Sequence, residues 1–115
     1  MRLVLFMTRW MSLERWRELG TLERETSLYA ALRDRYGVEV QFVTWAKSEE
    51  DDCIARECGF EGACWQSMPR LQSQYERLLP WWHWKHLRKT DIIKTNQMLG
   101  ADVALRAARI CKKPL

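Results

Sequence analysis

Residues 3–7 read Leu-Val-Leu-Phe-Met, with no polar residue at either alternate position. Successive side chains of a strand point to opposite faces, so such a run has no wet face. It needs cover on both sides, the situation of a strand inside a parallel sheet flanked by helices. The run is followed at once by Thr8-Arg9, too soon for a secretory h-region. Nothing in the chain approaches the roughly 18 apolar residues of a membrane span. At 115 residues, 47% hydrophobic and 30% charged, the chain is expected to be one globular domain or part of one, in the cytoplasm.

The rest of the chain alternates in keeping with that strand. Arg2–Met7 is the first strand, and Thr8–Gly20 connects it onward. Within the connection Ser12 is placed to cap a short helix, LERWREL, with Gly20 to end it. Thr21 is placed to cap a helix from Leu22 to Tyr36, with Glu23 and Glu25 in its positive first turn and Gly37 at its end. Leu28, Tyr29, Leu32 and Tyr36 form its expected apolar stripe. Val38–Trp45 is β-branched and aromatic, a second strand. Lys47–Asp52 reads as an acidic loop. One turn of helix is expected near Ile54–Cys58 and a short strand near Ala63–Gln66. Arg70–Leu79 reads as a helix that Pro80 breaks, or after which Pro80 opens another. Thr90–Lys94 is a short strand, Thr95–Leu99 a loop and Gly100–Cys111 a helix. That helix buries Val103, Ala104, Ala107, Ala108 and Cys111 and keeps Asp102, Arg106 and Arg109 wet, Asp102 and Arg106 pairing at i,i+4. Pro114-Leu115 reads like entry into another strand. The fold class is α/β: a Rossmann-like, open, mainly parallel sheet of about four strands with flanking helices.

Charge divides unevenly. Residues 1–68 hold 9 Lys/Arg and 12 Asp/Glu, net −3; residues 69–115 hold 10 and 3, net +7. A basic second half suits an anionic partner. The stretch PWWHWKHLRK concentrates it: Trp81, Trp82 and Trp84 beside Lys85, Arg88 and Lys89, which suits a membrane surface or a partner protein. Single-stranded nucleic acid is a third possibility, but no RRM, KH or helix-turn-helix signature accompanies the basic region. The plain structural alternative buries Trp81 and Trp84 against the sheet. Cys53, Cys58, Cys64 and Cys111 are expected as buried free thiols. With His83 and His86 the first three would make a zinc set, but their spacing fits no usual pattern, so neither a metal nor a cofactor is expected. His83 and His86 are expected on a helix, partly exposed.

Ligands of an open parallel sheet bind beyond the carboxyl ends of its strands. Thr8–Gly20 and Thr95–Leu99 leave that rim and lead into helix N-termini, where anions are favoured. Arg9, Arg15, Arg17 and Lys94 would reinforce this, or merely solvate a surface. Neither G-x-G-x-x-G nor G-x-x-x-x-G-K-[ST] is present, so the chain is not expected to be a Rossmann or P-loop nucleotide-binding unit by itself.

Two stretches, LVLFMTRWMSLERWRELGTLERETSLYAAL and HLRKTDIIKTNQMLGADVALRAARICKKPL, resemble the N-terminal domain of group 1 (family 4) glycosyltransferases of the GT-B fold. The matching positions are Thr8, Arg9, Ser12, Leu13, Trp16, Gly20, Leu22, Arg24, Glu25 and Tyr29, then Lys94, Thr95, Asn96, Gln97, Gly100, Ala101, Lys113, Pro114 and Leu115. Residues 47–80 match less well. The resemblance implies a partial acceptor-side domain over residues 1–115. Thr8, Arg9, Lys94, Asn96 and Gln97 would make polar contacts to a glycan or lipid-linked acceptor. Trp10 and Trp16 would stack on a sugar, or serve as lid or core residues. In the family a nucleotide-sugar is held by a second domain, carrying an E-x7-E motif, to which nothing here corresponds. The chain by itself is therefore expected to bind no donor and transfer no sugar. A sheet edge left uncovered would invite self-association. The alternative is a non-catalytic module that docks through Trp81–Lys89.

Overall fold

The computed structural model describes residues 1–66, 72–95 and 101–115. Its elements run β1 (Arg2–Phe6), α1 (Leu13–Glu18), α2 (Leu22–Tyr36), β2 (Glu39–Val43), α3 (Glu50–Glu57), β3 (Gly62–Cys64), α4 (Gln72–Trp82), α5 (Trp84–Leu87), β4 (Ile92–Thr95) and α6 (Ala101–Cys111). The four strands form one all-parallel sheet in the order β3-β2-β1-β4. Helices flank both faces, an open α/β Rossmann-like arrangement. Leu3, Leu5, Met7, Val40 and Phe42 face α1, α2 and α3, where Leu13, Trp16, Tyr29 and Ile54 complete one core. Val4, Phe6, Val43 and Ile93 face the other way, onto Tyr75, Leu79, Leu87 and the small-residue side of α6. The apolar run thus has the two covered faces it demands. No helix among the described residues is long and apolar enough to cross a membrane.

Local chemistry accounts for the helix starts. The Ser12 hydroxyl accepts from the Arg15 amide at 3.0 Å. The two amides before it, Leu13 and Glu14, donate to the Asp51 carboxylate at 2.9 and 3.0 Å. The first three donors of α1, which no helical carbonyl can reach, are all satisfied. Asp51 is fully buried and belongs to the first turn of α3. The acidic run is therefore not a loop: one of its carboxylates caps a helix 38 residues away in the chain. Its neighbour Asp52 accepts from the Ala63 amide at 2.9 Å and pairs with Arg56 at 3.0 Å, tying α3 to β3.

Other expectations need correction. Along α2 the buried positions are Thr26 and Tyr29, with Leu22, Ala30 and Leu32 packed beside them; Leu28 and Tyr36 point to solvent. The stripe is rotated because Thr26 hides its hydroxyl by donating to the Leu22 carbonyl at 2.7 Å. Thr21 precedes α2 without a side-chain cap. Pro80 neither ends α4 nor opens another helix but lies inside it. Proline has no N–H for the carbonyl four residues back, that of Glu76. Arg106 of α6 supplies a replacement, donating Nη1 to the carbonyls of Glu76 and Arg77. Arg106 is thereby taken from the expected pair with Asp102. Cys53 is exposed, whereas Cys64 and Cys111 are buried thiols and Cys58 is half-buried. Burial pushes the Cys64 thiol up to about 12.

His83 is also buried, not partly exposed. Its Nε2 bonds the Tyr75 hydroxyl at 3.0 Å, and that hydroxyl donates to the Thr44 carbonyl at 3.0 Å, so Nε2 carries the proton. Burial, and then His86, push the His83 pKa down to about 4.

Two predictions follow from these contacts. Asp51→Ala leaves two buried amides without acceptors and should lower the unfolding free energy by about 2–3 kcal/mol, read by urea denaturation. A loss below about 0.5 kcal/mol would show that water replaces the carboxylate. For His83 the unfolded chain takes up a proton at about 6.5 and the folded chain only at about 4. Between these values the unfolded state binds more protons, so stability is present above the window and is lost as pH falls through it. From pH 7 to pH 4 the contribution is about 3 kcal/mol. His83→Gln should flatten the pH dependence by that amount; equal slopes for the two proteins rule the assignment out.

Candidate functional site

Order reverses between β1 and β4: from β1 the chain moves outward through β2 to β3, then returns to β1's other edge. At such a reversal the connections leave in opposite directions and open a crevice at the carboxyl rim. Phe6 and Thr95 are register partners, so both connections start from the same rim.

The first connection turns tightly. The Met11 amide donates to the Thr8 carbonyl at 2.8 Å, and the Trp45 amide to the Met11 carbonyl at 3.2 Å. Trp10 at the turn has φ +68°, a left-handed conformation that costs a non-glycine residue about 1 kcal/mol or more. The turn displays its indole outward, 65% exposed. Beside it Arg9 points across the rim. Its Nε donates to Glu76 of α4 at 2.8 Å, and its Nη2 donates to both carboxylate oxygens of Asp102 of α6 at 3.0 Å. The Trp45 indole donates to the same Glu76 oxygen at 3.0 Å. One guanidinium therefore joins the β1 loop to α4 and α6 of the second face. The Glu76 hydrogen bond, foremost, holds the Arg9 pKa above its ordinary value. A groove of about 510 Å³ runs along Thr8–Ser12, Glu14, Arg15 and Glu18. Glu76 and Asp102 border a smaller one of about 280 Å³. A third groove, about 600 Å³, lies between α2 and the turn after α3, lined largely by small and apolar side chains.

These contacts change what the rim can hold. Arg9 already faces two carboxylates, Arg15 pairs with Glu18 and Arg17 with Glu50. The N-terminus of α1, expected to attract anions, is filled by Asp51 and Ser12. A phosphate meets no uncompensated arginine in this loop and no free amide at α1. What remains is a set of charged donors and acceptors beside an exposed indole. Hydroxyls can both donate to Glu76 and Asp102 and accept from Arg9, while the C–H face of a sugar ring lies flat on an aromatic ring.

Of the residues singled out from sequence, Thr8, Arg9 and Trp10 come together here. Trp16 is a core residue, 4% exposed, settling the alternatives of stacking, lid and core for that position. Lys94 follows Ile93 on the other face of the sheet, with its Nζ 5.9 Å from the ring centre of Tyr29. It is not brought to the Arg9 cluster. Asn96 and Gln97, with most of the expected 95–99 loop, lie outside the described residues. Glu76 and Asp102 were missed as site residues. Glu76 carried a usable signal, being the sole carboxylate between residues 62 and 90 of a basic segment.

No family model, no curated protein and no solved structure matches the chain.

Arg9→Met removes the counter-ion of a half-buried Glu76 and the tie to α6. It should cost about 1–2 kcal/mol of stability, and Glu76→Gln in the Arg9→Met background should recover part of it. A double variant no more stable than Arg9→Met alone would show that the carboxylate finds water instead.

Proposed function

We propose that this chain forms the acceptor-holding half of a glycosyltransferase, binding the sugar ring of a glycan or lipid-linked acceptor at the reversal between β1 and β4. One observation carries this reading: an exposed Trp10 set beside the Arg9–Glu76–Asp102 network at the carboxyl rim. The charge balance of the rim, in which each loop arginine has a carboxylate, favours a hydroxylated ligand over a phosphate. The resemblance of the Thr8–Tyr29 and Lys94–Leu115 stretches to GT-B N-terminal domains supports the same half-site. In the transfer step an acceptor hydroxyl would attack the anomeric carbon of a nucleotide-sugar: the new C–O bond forms as the bond to the diphosphate breaks. The role of this chain is to fix that hydroxyl's position; the donor would be held by a further domain.

The test is amide and indole NMR of the 115-residue protein titrated with methyl glycosides, short oligosaccharides and, separately, inorganic phosphate. Sugars should shift the Trp10 indole and Arg9 Nε signals with affinities of order 1 mM. Trp10→Ala should weaken binding about tenfold, the value of one good aromatic contact. The proposal fails if no saccharide moves these signals, or if phosphate moves them more.

A further inference from the structure

α4, α5 and the His83 link between them bury Tyr75, Leu79, His83 and Leu87, the side expected of helices packed on a sheet. The opposite side is not polar. Leu78, Trp81, Trp82 and Trp84 are 39%, 55%, 50% and 41% exposed; the first three stand at i, i+3, i+4 on α4, and Trp84 opens α5. By contrast Trp16 and Trp45 are buried, so the molecule has interior places for an indole and does not use them here. An exposed apolar cluster of this kind marks an interaction surface.

Its charge is one-sided. From residue 77 to residue 90 the chain holds Arg77, Lys85, Arg88 and Lys89 and no Asp or Glu. All four cations are exposed. Of the nearby carboxylates, Asp52 is paired with Arg56 and Glu39 with Arg2, while Asp91 accepts from the neutral Arg2 amide and keeps its charge. With Asp91, Glu61 at the edge of the cleft beside Lys85 and Lys89 stands against the cations. His86 reports the local field: burial lowers its pKa first, and then Lys85, Lys89 and Arg2 lower it further, against Asp52. Arg106 adds a fifth cation, its guanidinium 5.3 Å from the ring centre of Trp81.

We infer that the outward face of α4 and α5 docks on an anionic lipid bilayer. Trp81, Trp82 and Trp84 enter the headgroup region, and Lys85, Arg88 and Lys89 meet lipid phosphates. Indoles prefer that depth because one edge of the ring is polar and the rest apolar, and long cationic side chains reach from it toward phosphate. The cation count of the corner supplies the attraction that a short amphipathic segment needs. A protein groove would suit the indoles equally well; the excess of cations over Glu61 and Asp91 favours the bilayer, which suits both. Arg77 and Arg106 also border the groove of Glu76 and Asp102, but Trp81–Lys89 holds none of the residues of the Arg9 cluster, so the inference stands or falls separately from the sugar-binding reading.

Vesicle sedimentation of the 115-residue protein tests it, with phosphatidylcholine alone and with 30 mol % phosphatidylglycerol, an anionic fraction of about one third. Binding should require the anionic lipid and weaken at least tenfold in high salt. Trp81→Ala/Trp82→Ala/Trp84→Ala should weaken it at least tenfold. So should Lys85→Glu/Arg88→Glu/Lys89→Glu, which leaves every indole in place and serves if the first variant misfolds. Equal binding to neutral vesicles, wild-type binding by a folded variant, or no sedimentation with either vesicle overturns the inference. So does a dimer, seen by analytical ultracentrifugation without vesicle binding, that dissociates on the tryptophan substitutions; it would assign the face to a second copy. Sugar titration of the tryptophan variant should still move the Trp10 signals, whichever way the vesicles decide.

Discussion

β1 has neither a wet face nor a free edge. Its side chains from Leu3 to Phe6 are buried, alternating between two cores, and its backbone pairs with β2 on one side and β4 on the other. Burial of that run contributes roughly 1.5–3 kcal/mol per large side chain, on the usual transfer scale. The placement of everything else answers to it. Helices must cover both faces, and chain must arrive at both edges, so the order of strands has to reverse at β1. The reversal is what opens the rim between β1 and β4, and it sets Thr8–Trp10 over it.

Two long-range polar contacts then position the loops. Asp51 holds the start of α1 from α3, which closes the first face. Arg9 holds α4 and α6 from the β1 loop, which closes the second. Each joins parts of the chain far apart in sequence, and each buries or half-buries a carboxylate that is acceptable there only because donors surround it.

Features governed by near neighbours were legible in the sequence. The apolar run of β1, the Ser12 cap, the Leu22–Tyr36 span with Gly37 at φ +65°, and the buried face of α6 each follow from spacing within a few residues. A mainly parallel sheet of about four strands followed from their alternation, and the sheet has four strands, all parallel. What escaped depends on distant partners. Lys47–Asp52, whose last three residues open α3, looked like a solvated loop because the amides that donate to Asp51 belong to residues 13 and 14. Pro80 looked like a breaker because its compensation comes from Arg106. The stripe of α2 was misplaced by one strip because a threonine can bury itself by bonding its own helix. At the candidate site Thr8–Trp10 could be found from the strand-end rule, while Glu76 and Asp102 could not be joined to Arg9 without the packing of α4 against α6.

Proline inside a helix ordinarily makes a place where the rod can flex, since one rung of its ladder is absent. In α4 that place is pinned from outside by a side chain of α6. The two helices are stitched at the spot where one alone would bend. Glu76 in the middle of α4 and Trp82 at its end consequently keep a fixed spacing, about 9 Å along the axis, and a push on one is carried to the other as if through a solid strut.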